Sequence, residues 1–367
     1  MNELIHQIRD LILSARRAVA HSVDLIQVLT NFEIGRRIIE HEQQGKERAE
    51  YGDAMLKALA IALTDEFGRG FSQTNLKMMR RFYLIYQHRM GQAVPGLLPA
   101  VKKGQTLSDF LQKSDVASQN SPGNIRAGAS ASFHLSWSHY VFLISVENDA
   151  ERRFYEIESA GQGWSLRELK RQFNAGLYER LALSRDKDGV RQLATQGQII
   201  GRPEDLLKEP YVLEFLGLDE QAKYSESDLE SAIIDKLEHF LLELGKGFLF
   251  EARQKRFTFD EEHFFVDLVF YNRLLRCYVL LDLKIGKLSH GDLGQMQMYV
   301  NYFDRHVKLV EENPTIGIVL CKKKHDALVE ITLPKDANIH AREYQLYLPD
   351  KTLLRQKLAE WGGEMEE

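Results

Sequence analysis

Three apolar runs of strand length follow one another between residues 248 and 284 and limit the possible folds more than any other feature. They read FLFEARQKRF, HFFVDLVFYN and LRCYVLLDLK, and short polar segments separate them. SDLESAIIDKLEHFLLELG before them predicts a helix, while GDLGQMQMYVNYFDRHV and TIGIVLCKK after them predict a second helix and a fourth strand. HDALVEI is a candidate short helix and EYQLYLP a candidate further strand. The order α-β-β-β-α-β is typical of an α/β domain with a mixed sheet.

Charged residues interrupt these apolar runs at two places. Asp267 lies in the middle run, and Asp282 and Lys284 lie two residues apart in the third. Side chains alternate along a strand, so Asp282 and Lys284 point to the same face. Buried charges are costly unless they are paired or bind a metal. The third run is therefore either the location of a structural ion pair or the end of a strand that performs chemistry.

The spacing of the two aspartates favours the second interpretation. Asp267 and Asp282 are separated by a length that fits adjacent antiparallel strands. Two carboxylates held side by side repel each other unless a cation lies between them, and Mg²⁺, with Mn²⁺ as an alternative, suits such oxygen ligands. Lys284 could position or deprotonate a water, or neutralise charge on a phosphate. This combination predicts metal-dependent hydrolysis of a phosphodiester.

The first 90 residues show helical spacing and one concentration of positive charge. In GRGFSQTNLKMMRRFY, Ser72 is a candidate N-cap for a helix with one apolar and one basic face. The basic residues of this segment are Arg69, Lys77, Arg80 and Arg81. They favour either a helix-turn-helix-like element on DNA phosphates or a helical bundle that forms a homo-oligomer. Because the net charge is −5, nucleic acid would have to bind such a local basic surface.

Composition divides the chain into six segments. In chain order they are a helical region at 1–90, a linker at 91–132, helices continuing the N-terminal domain at 133–185, a connector at 186–225, the α/β domain at 226–350 and a tail at 351–367. Two cysteines without metal-ligand spacing indicate a reducing compartment. No apolar run reaches membrane length, so we expect a cytoplasmic protein without a membrane partner.

Asp267, followed by Asp282-Leu283-Lys284 on the next apolar run, resembles the PD-(D/E)XK nuclease core. The surrounding VDLVFYNRLLRCYVLLDLKIGK and GQMQMYVNYFD, with LSWSHYVFLI and WSLRELKRQF further upstream, resemble the YhcG-like nuclease family. The resemblance covers nearly the whole chain apart from the linker at 91–132 and the last residues. It implies a multidomain α+β protein, in which an all-helical N-terminal region precedes a restriction-endonuclease-like α/β core. The implied activity is that of a Mg²⁺-dependent DNA nuclease.

The resemblance assigns roles to the motif residues. Asp267, Asp282 and the backbone carbonyl of Leu283 would bind the metal, and Lys284 would be the catalytic lysine. Val266 departs from the pattern, because a proline often occupies that position in the motif.

Residues on the two flanking helices complete the implied site. The acidic residue of the first helix aligns best with Glu230, although Glu238 and Glu243 lie on the same predicted helix. Gln295 and Tyr299 resemble a Gln-x-x-x-Tyr element that supports the lysine and the DNA backbone. Lys287, shortly after the catalytic lysine, would be a further nucleic-acid contact.

Two other classes of function stay open. One is a nucleic-acid-binding or assembly protein with an inactive nuclease core, and the other is an RNA nuclease, because metal chemistry does not distinguish the sugars. An acid-x-lysine triplet alone is weak evidence. Glu168-Leu169-Lys170 has the same spacing in a polar stretch of helical period and predicts a solvated helix face. The apolar strand around Asp282 is what favours an active enzyme.

Overall fold

The computed structural model describes seven stretches of the chain. They are residues 24–43, 49–90, 133–185, 187–218, 224–259, 261–334 and 337–364. The chain divides into two compact units, Met1–Glu147 and Asn148–Glu367. The predicted linker at 91–132 lies outside the described residues. Within the described stretches, no helix is both long enough and apolar enough to cross a membrane.

The first unit is helical in all its described elements. They are α1 (24–43), α2 (Ala49–Phe67), α3 (Gln73–Tyr86) and α4 (Trp137–Leu143), with a short 3₁₀ turn at Gln87–Met90. Ser72 caps α3 as its sequence predicts, because its hydroxyl accepts a hydrogen bond from the Asn75 amide at 3.3 Å. The apolar stripe of α3 is buried through Leu76, Met79, Phe82 and Tyr86.

Nine helices among the described residues belong to the second unit. They are α5 (Asp149–Gln162), α6 (Leu166–Asn174), α7 (Leu177–Ala182), α8 (Lys187–Gln196), α9 (Glu226–Asp235), α10 (Leu237–Leu244), α11 (His290–His306), α12 (Asp326–Thr332) and α13 (Lys351–Glu364). The helix predicted before the first strand is in fact two, because Lys236 adopts a non-helical conformation with φ −118° and ψ 29°.

Six strands form one mixed sheet. They are β1 (Tyr211–Val212), β2 (Phe248–Phe259), β3 (Glu262–Asn272), β4 (Cys277–Lys287), β5 (Ile316–Lys323) and β6 (Ile339–Gln345). Their order across the sheet is β1-β6-β5-β4-β3-β2. The pairs β2–β3 and β3–β4 are antiparallel, and the remaining pairs are parallel. Apolar clusters cover both faces, one with α9 and α10 and the other with α11. The predicted α/β architecture is confirmed.

The structure adds detail to the segments around this sheet, whose sequence-based division remains a prediction. The second compact unit begins at Asn148 and so contains most of the helices of 133–185 as well as the sheet. The connector at 186–225 supplies α8 and the edge strand β1. The expected tail is largely the helix α13, whose Arg355 lies 2.9 Å from Glu151 and 3.1 Å from Glu179. These partners are far away in the sequence, which is why local composition did not indicate them.

One largely but not fully buried histidine of the sheet, His340, makes the fold sensitive to acid. Burial, assisted by the nearby positive charge of Arg342, lowers the pKa of His340 on β6 to about 4. An unfolded chain would protonate this ring near pH 6.5, so its stabilising contribution is complete above that pH and is lost as the pH falls toward 4. We expect the free energy of unfolding to drop by up to about 3 kcal/mol through this group.

Urea unfolding of the parent and of His340→Gln, compared at neutral pH and at about pH 4.5, measures this contribution. The variant cannot take up the proton and should lose less stability than the parent on acidification. Equal losses in the two proteins would contradict the assignment to His340.

Candidate metal-binding active site

The two aspartates of the motif face each other across β3 and β4. The described pairing of these strands runs from Asn272 with Cys277 to Leu268 with Leu281. One step further in this antiparallel register places Asp267 opposite Asp282. Here the regular ladder stops, and the Asp267 carboxylate accepts a hydrogen bond from the Leu283 amide at 2.8 Å. The sequence spacing thus corresponds to the observed neighbouring strands.

Asp282 is the most deeply buried of the charged groups in the motif. Its side chain is 3% exposed, and its Oδ2 lies 2.8 Å from Lys284 Nζ. That oxygen nevertheless accepts no well-directed hydrogen bond from the described residues. Burial and the Asp267 charge raise the pKa of Asp282 to about 7. Although burial alone would lower the pKa of Lys284, Asp282 outweighs it and raises the value to about 12.

Glu230 reaches the site through a glutamine that belongs to neither predicted helix. The Gln254 amide donates to Glu230 Oε2 at 2.6 Å and to Asp267 Oδ1 at 3.0 Å. Gln254 has a φ of 47°, in an irregular part of β2 that follows the register shift between Phe250 and Ala252. A non-glycine residue in this left-handed region is unusual, and such strain concentrates at functional sites.

The other acidic candidates of the first helical segment lie elsewhere. Glu230 is buried in α9 and is also bonded by Arg253 of β2. Glu238 is exposed at the start of α10. Glu243 is fully buried, and its Oε1 lies 2.6 Å from Arg180 Nη1 and 3.0 Å from the Val212 amide. The geometry therefore favours Glu230 as the acid associated with Asp267.

Gln295 and Tyr299 form a connected pair on α11. The Gln295 amide donates to the Tyr299 hydroxyl at 2.6 Å, and that hydroxyl donates to the Phe265 carbonyl at 2.8 Å. Burial and the nearby Asp282 charge raise the pKa of Tyr299 to about 12. The pair thus fixes the backbone of β3 two residues from Asp267.

The basic residues expected to bind nucleic acid differ in their surroundings. Lys77 lies 2.9 Å from Asp53 and Arg80 lies 2.8 Å from Glu42, so acids within the same unit offset both charges. Arg69 and Arg81 are exposed, and so is Lys287 at the end of β4. The helix-turn-helix interpretation of this region remains a prediction.

Sequence reasoning missed three residues that surround the candidate site. Gln254 and Arg253 contact Glu230, and Glu226 at the start of α9 lies 3.8 Å from Lys284 Nζ. The irregular backbone of β2 is what directs Gln254 toward the carboxylates, and strand alternation in the sequence carries no sign of it. Glu226 precedes Glu230 by one helical turn, a spacing that could have identified it.

Comparison with known proteins assigns the family. Residues 204–359 match the model of the YhcG PDDEXK nuclease domain, and residues 7–180 match that of the DUF1016 N-terminal domain. The chain is 41% identical over 359 residues to the Escherichia coli (strain K12) protein named "Putative nuclease YhcG", covering 97% of this chain and 93% of that relative. The chain belongs to the YhcG-like PD-(D/E)XK nuclease family.

Two solved structures show a more distant likeness. One is a repair endonuclease from Pyrococcus abyssi and the other is a complex of EndoMS with dsDNA. Each is 16% identical, with a TM-score of 0.24, and each match covers 36% of this chain and 50% of the other. At that score the likeness carries no argument, and the family assignment rests on the domain matches and the E. coli relative.

The donor groups of this YhcG-like core are compatible with a divalent metal. PD-(D/E)XK nucleases generally use divalent metals, although within the described residues no three His, Cys, Asp or Glu side chains converge on one point. Mg²⁺ does not need three, because it commonly binds one or two carboxylates and retains several waters. Asp282 Oδ2, buried and without a well-directed hydrogen bond, is the type of oxygen that such an ion would satisfy.

Proposed function

We propose that this YhcG-like protein is a Mg²⁺-dependent DNA nuclease, with Mn²⁺ as an alternative ion, that hydrolyses phosphodiester bonds. The observation that carries the proposal is the hydrogen bond that the Asp267 carboxylate accepts from the Leu283 amide, between Asp282 and Lys284 on the neighbouring strand. A structural ion pair would explain the contact of Asp282 with Lys284, but a protein without activity would gain nothing from a second carboxylate, Asp267, beside this 3% exposed side chain.

Each residue of the candidate site would have a distinct role in hydrolysis. Asp267, Asp282 and the Leu283 carbonyl would hold the metal, which when bound polarises the phosphoryl oxygen and lowers the pKa of the attacking water. Lys284, a cation fixed by Asp282, would orient that water and offset the charge that develops on the phosphate. Glu230 would complete the acidic edge of the site from α9.

Residues outside the metal site would position strand β3 and bind the phosphates of the substrate. Gln295 and Tyr299 would keep β3 in position through the Phe265 carbonyl. The exposed Arg69, Arg81 and Lys287 would contact phosphates, joined by Lys77 and Arg80 where DNA displaces their acidic partners. Phosphate contacts of this kind would make binding strongly dependent on salt concentration.

A substrate comparison tests the proposed function. Supercoiled plasmid and a folded RNA of similar length would be incubated with the full chain in Mg²⁺, in Mn²⁺ and in chelator. We expect cutting of the DNA with either metal and none in chelator. Cutting of RNA in preference to DNA would replace the proposed substrate, and an absence of cutting in every arm would favour an inactive nucleic-acid-binding protein.

Gln254 provides a separate prediction about metal affinity. Its amide bridges Glu230 and Asp267, so it holds the two carboxylates at a fixed separation. Gln254→Ala would leave these charges without that bridge, and we expect metal affinity to fall by roughly 10- to 100-fold, as for residues that orient metal ligands.

The affinity is read from the metal-linked increase in melting temperature, which does not require catalysis. Gln297→Ala is the matched control, because that glutamine lies on α11 and bonds Asn301 instead of an acid. An unchanged affinity in Gln254→Ala would show that the bridge does not prepare the site.

A further inference from the structure

The outer part of the β2–β3 hairpin carries exposed aromatic and basic side chains beside the candidate site. Arg256 pairs with Phe265 in the strand register, and Thr258 pairs with His263. All four side chains are exposed, and the large apolar ring of Phe265 is 44% accessible. An exposed aromatic ring directly opposite an exposed arginine offers one face for stacking and one charge for a phosphate, the two contacts that single-stranded nucleic acid uses.

The two sides of this hairpin have different surroundings. Phe257 stacks on Phe264 at 5.5 Å and on Tyr302 at 4.1 Å, which places these rings under α11. Because side chains alternate, Phe265 and Arg256 lie on the other side. Asp267, two residues from Phe265, is on that side as well, roughly 7 Å further along the strand. We call Arg256, His263 and Phe265 the hairpin platform.

The hairpin platform is tied to the active site. The Phe265 carbonyl accepts the hydrogen bond of the Tyr299 hydroxyl, so its backbone is held by the same pair that steadies β3. Arg256 Nη2 lies 2.9 Å from the His263 ring, which keeps a cation beside the exposed phenyl ring. Glu261 and Glu262 at the hairpin tip are exposed acids and would repel the phosphates of a nucleic acid. This repulsion limits how many nucleotides the hairpin can bind.

We propose that the hairpin platform binds an unpaired nucleotide next to the phosphate that is cut, with its base on Phe265 and its phosphate on Arg256. The inference rests on the proposed function and narrows its substrate to nucleic acid with a single-stranded segment at the cutting position. Stacking on an aromatic ring requires a base with an open face, which an intact duplex does not offer. The arginine next to the ring supplies the charge that the phosphate requires.

Binding measured without cutting tests this inference. Fluorescence anisotropy in chelator would compare a labelled single-stranded DNA oligonucleotide with the blunt duplex of the same sequence, using the full chain. Phe265→Ala should weaken binding of the single strand by about 5- to 150-fold and leave duplex binding within about twofold. Phe259→Ala is the matched control, because this ring is 64% exposed on the same hairpin and lies on the Phe257 side.

Three results with the variants would overturn the inference. They are an unchanged single-strand affinity in Phe265→Ala, an equal loss for both probes, or an equal loss in Phe259→Ala. A parent that does not bind the single strand would overturn it too. The proposed function can fail separately. If Phe265→Ala weakens single-strand binding but the parent cuts no DNA, the hairpin platform is supported and the nuclease activity is contradicted.

Discussion

Replacing Lys284 by alanine is expected to slow phosphodiester cleavage by roughly 10²- to 10⁴-fold, the range for a positioned acid–base group. The side chain is largely buried and its Nζ lies 2.8 Å from Asp282, so solvent would not replace its charge efficiently. Lys284→Arg should not restore the rate, because a planar guanidinium does not occupy the position of an ammonium. The rate is measured as nicking of supercoiled plasmid under single-turnover conditions.

Metal binding should survive this substitution. Lys284→Ala removes a cation that competes for Asp282 Oδ2, so the metal-linked rise in melting temperature should be equal to or larger than that of the parent. Lys170→Ala is the control, because Lys170 belongs to the other acid-x-lysine triplet and is exposed on α6. A Lys284→Ala rate close to that of the parent, or an equal loss in Lys170→Ala, would remove Lys284 from the mechanism.

Glu243→Gln is expected to destabilise the protein by about 3–5 kcal/mol, because it leaves buried cations without their counter-charge. Arg180 and Glu243 are both fully buried, and Lys208 donates to the Glu243 carbonyl from a position that is 1% exposed. Burial would raise the pKa of Glu243, but Arg180, Lys208 and Arg171 outweigh it and lower the pKa. The free energy of unfolding is measured by urea titration.

Two comparisons separate this effect from a general sensitivity to charge removal. Asp188→Asn removes a partner of Arg191 in a pair that is about four-fifths exposed, and little or no change is expected. Arg180→Met combined with Glu243→Leu should recover part of the lost stability, because apolar replacement of a buried pair is often neutral, while Lys208 stays without the Glu243 charge. A cost of Glu243→Gln near zero, or a loss of metal affinity in its folded fraction, would contradict a purely structural role.

Much of the second unit follows from local sequence patterns. The apolar runs around Asp267 and Asp282 predict strands that the structure contains, and the interval between them corresponds to adjacent antiparallel strands. The family resemblance is confirmed by the domain matches and by the E. coli relative. These features can be predicted from the sequence because the alternation of side chains along a strand and the spacing of a motif depend only on short stretches of the chain.

Other features depend on contacts that no short stretch contains. The apolar pattern around Lys236 predicts a single helix, although the structure has a break there. The helix α13 is bound through Lys351 to Glu151, which lies 200 residues earlier in the chain. Gln254 reaches Asp267 through a locally irregular strand. Glu243 lies on the same predicted helix as Glu230, and only the structure shows that it pairs with the buried Arg180 away from the aspartates. Tertiary packing decides such cases, and sequence period does not.

The central claim is that the Asp267–Asp282 pair makes this YhcG-like core a metal-dependent nuclease. The most direct measurement is nicking of supercoiled plasmid by the parent and by Asp282→Asn, purified identically and confirmed as folded, in Mg²⁺ and in chelator. The account predicts nicking by the parent in Mg²⁺ alone and none by Asp282→Asn in either condition. Equal nicking by the two proteins, or nicking by the parent in chelator, would contradict it.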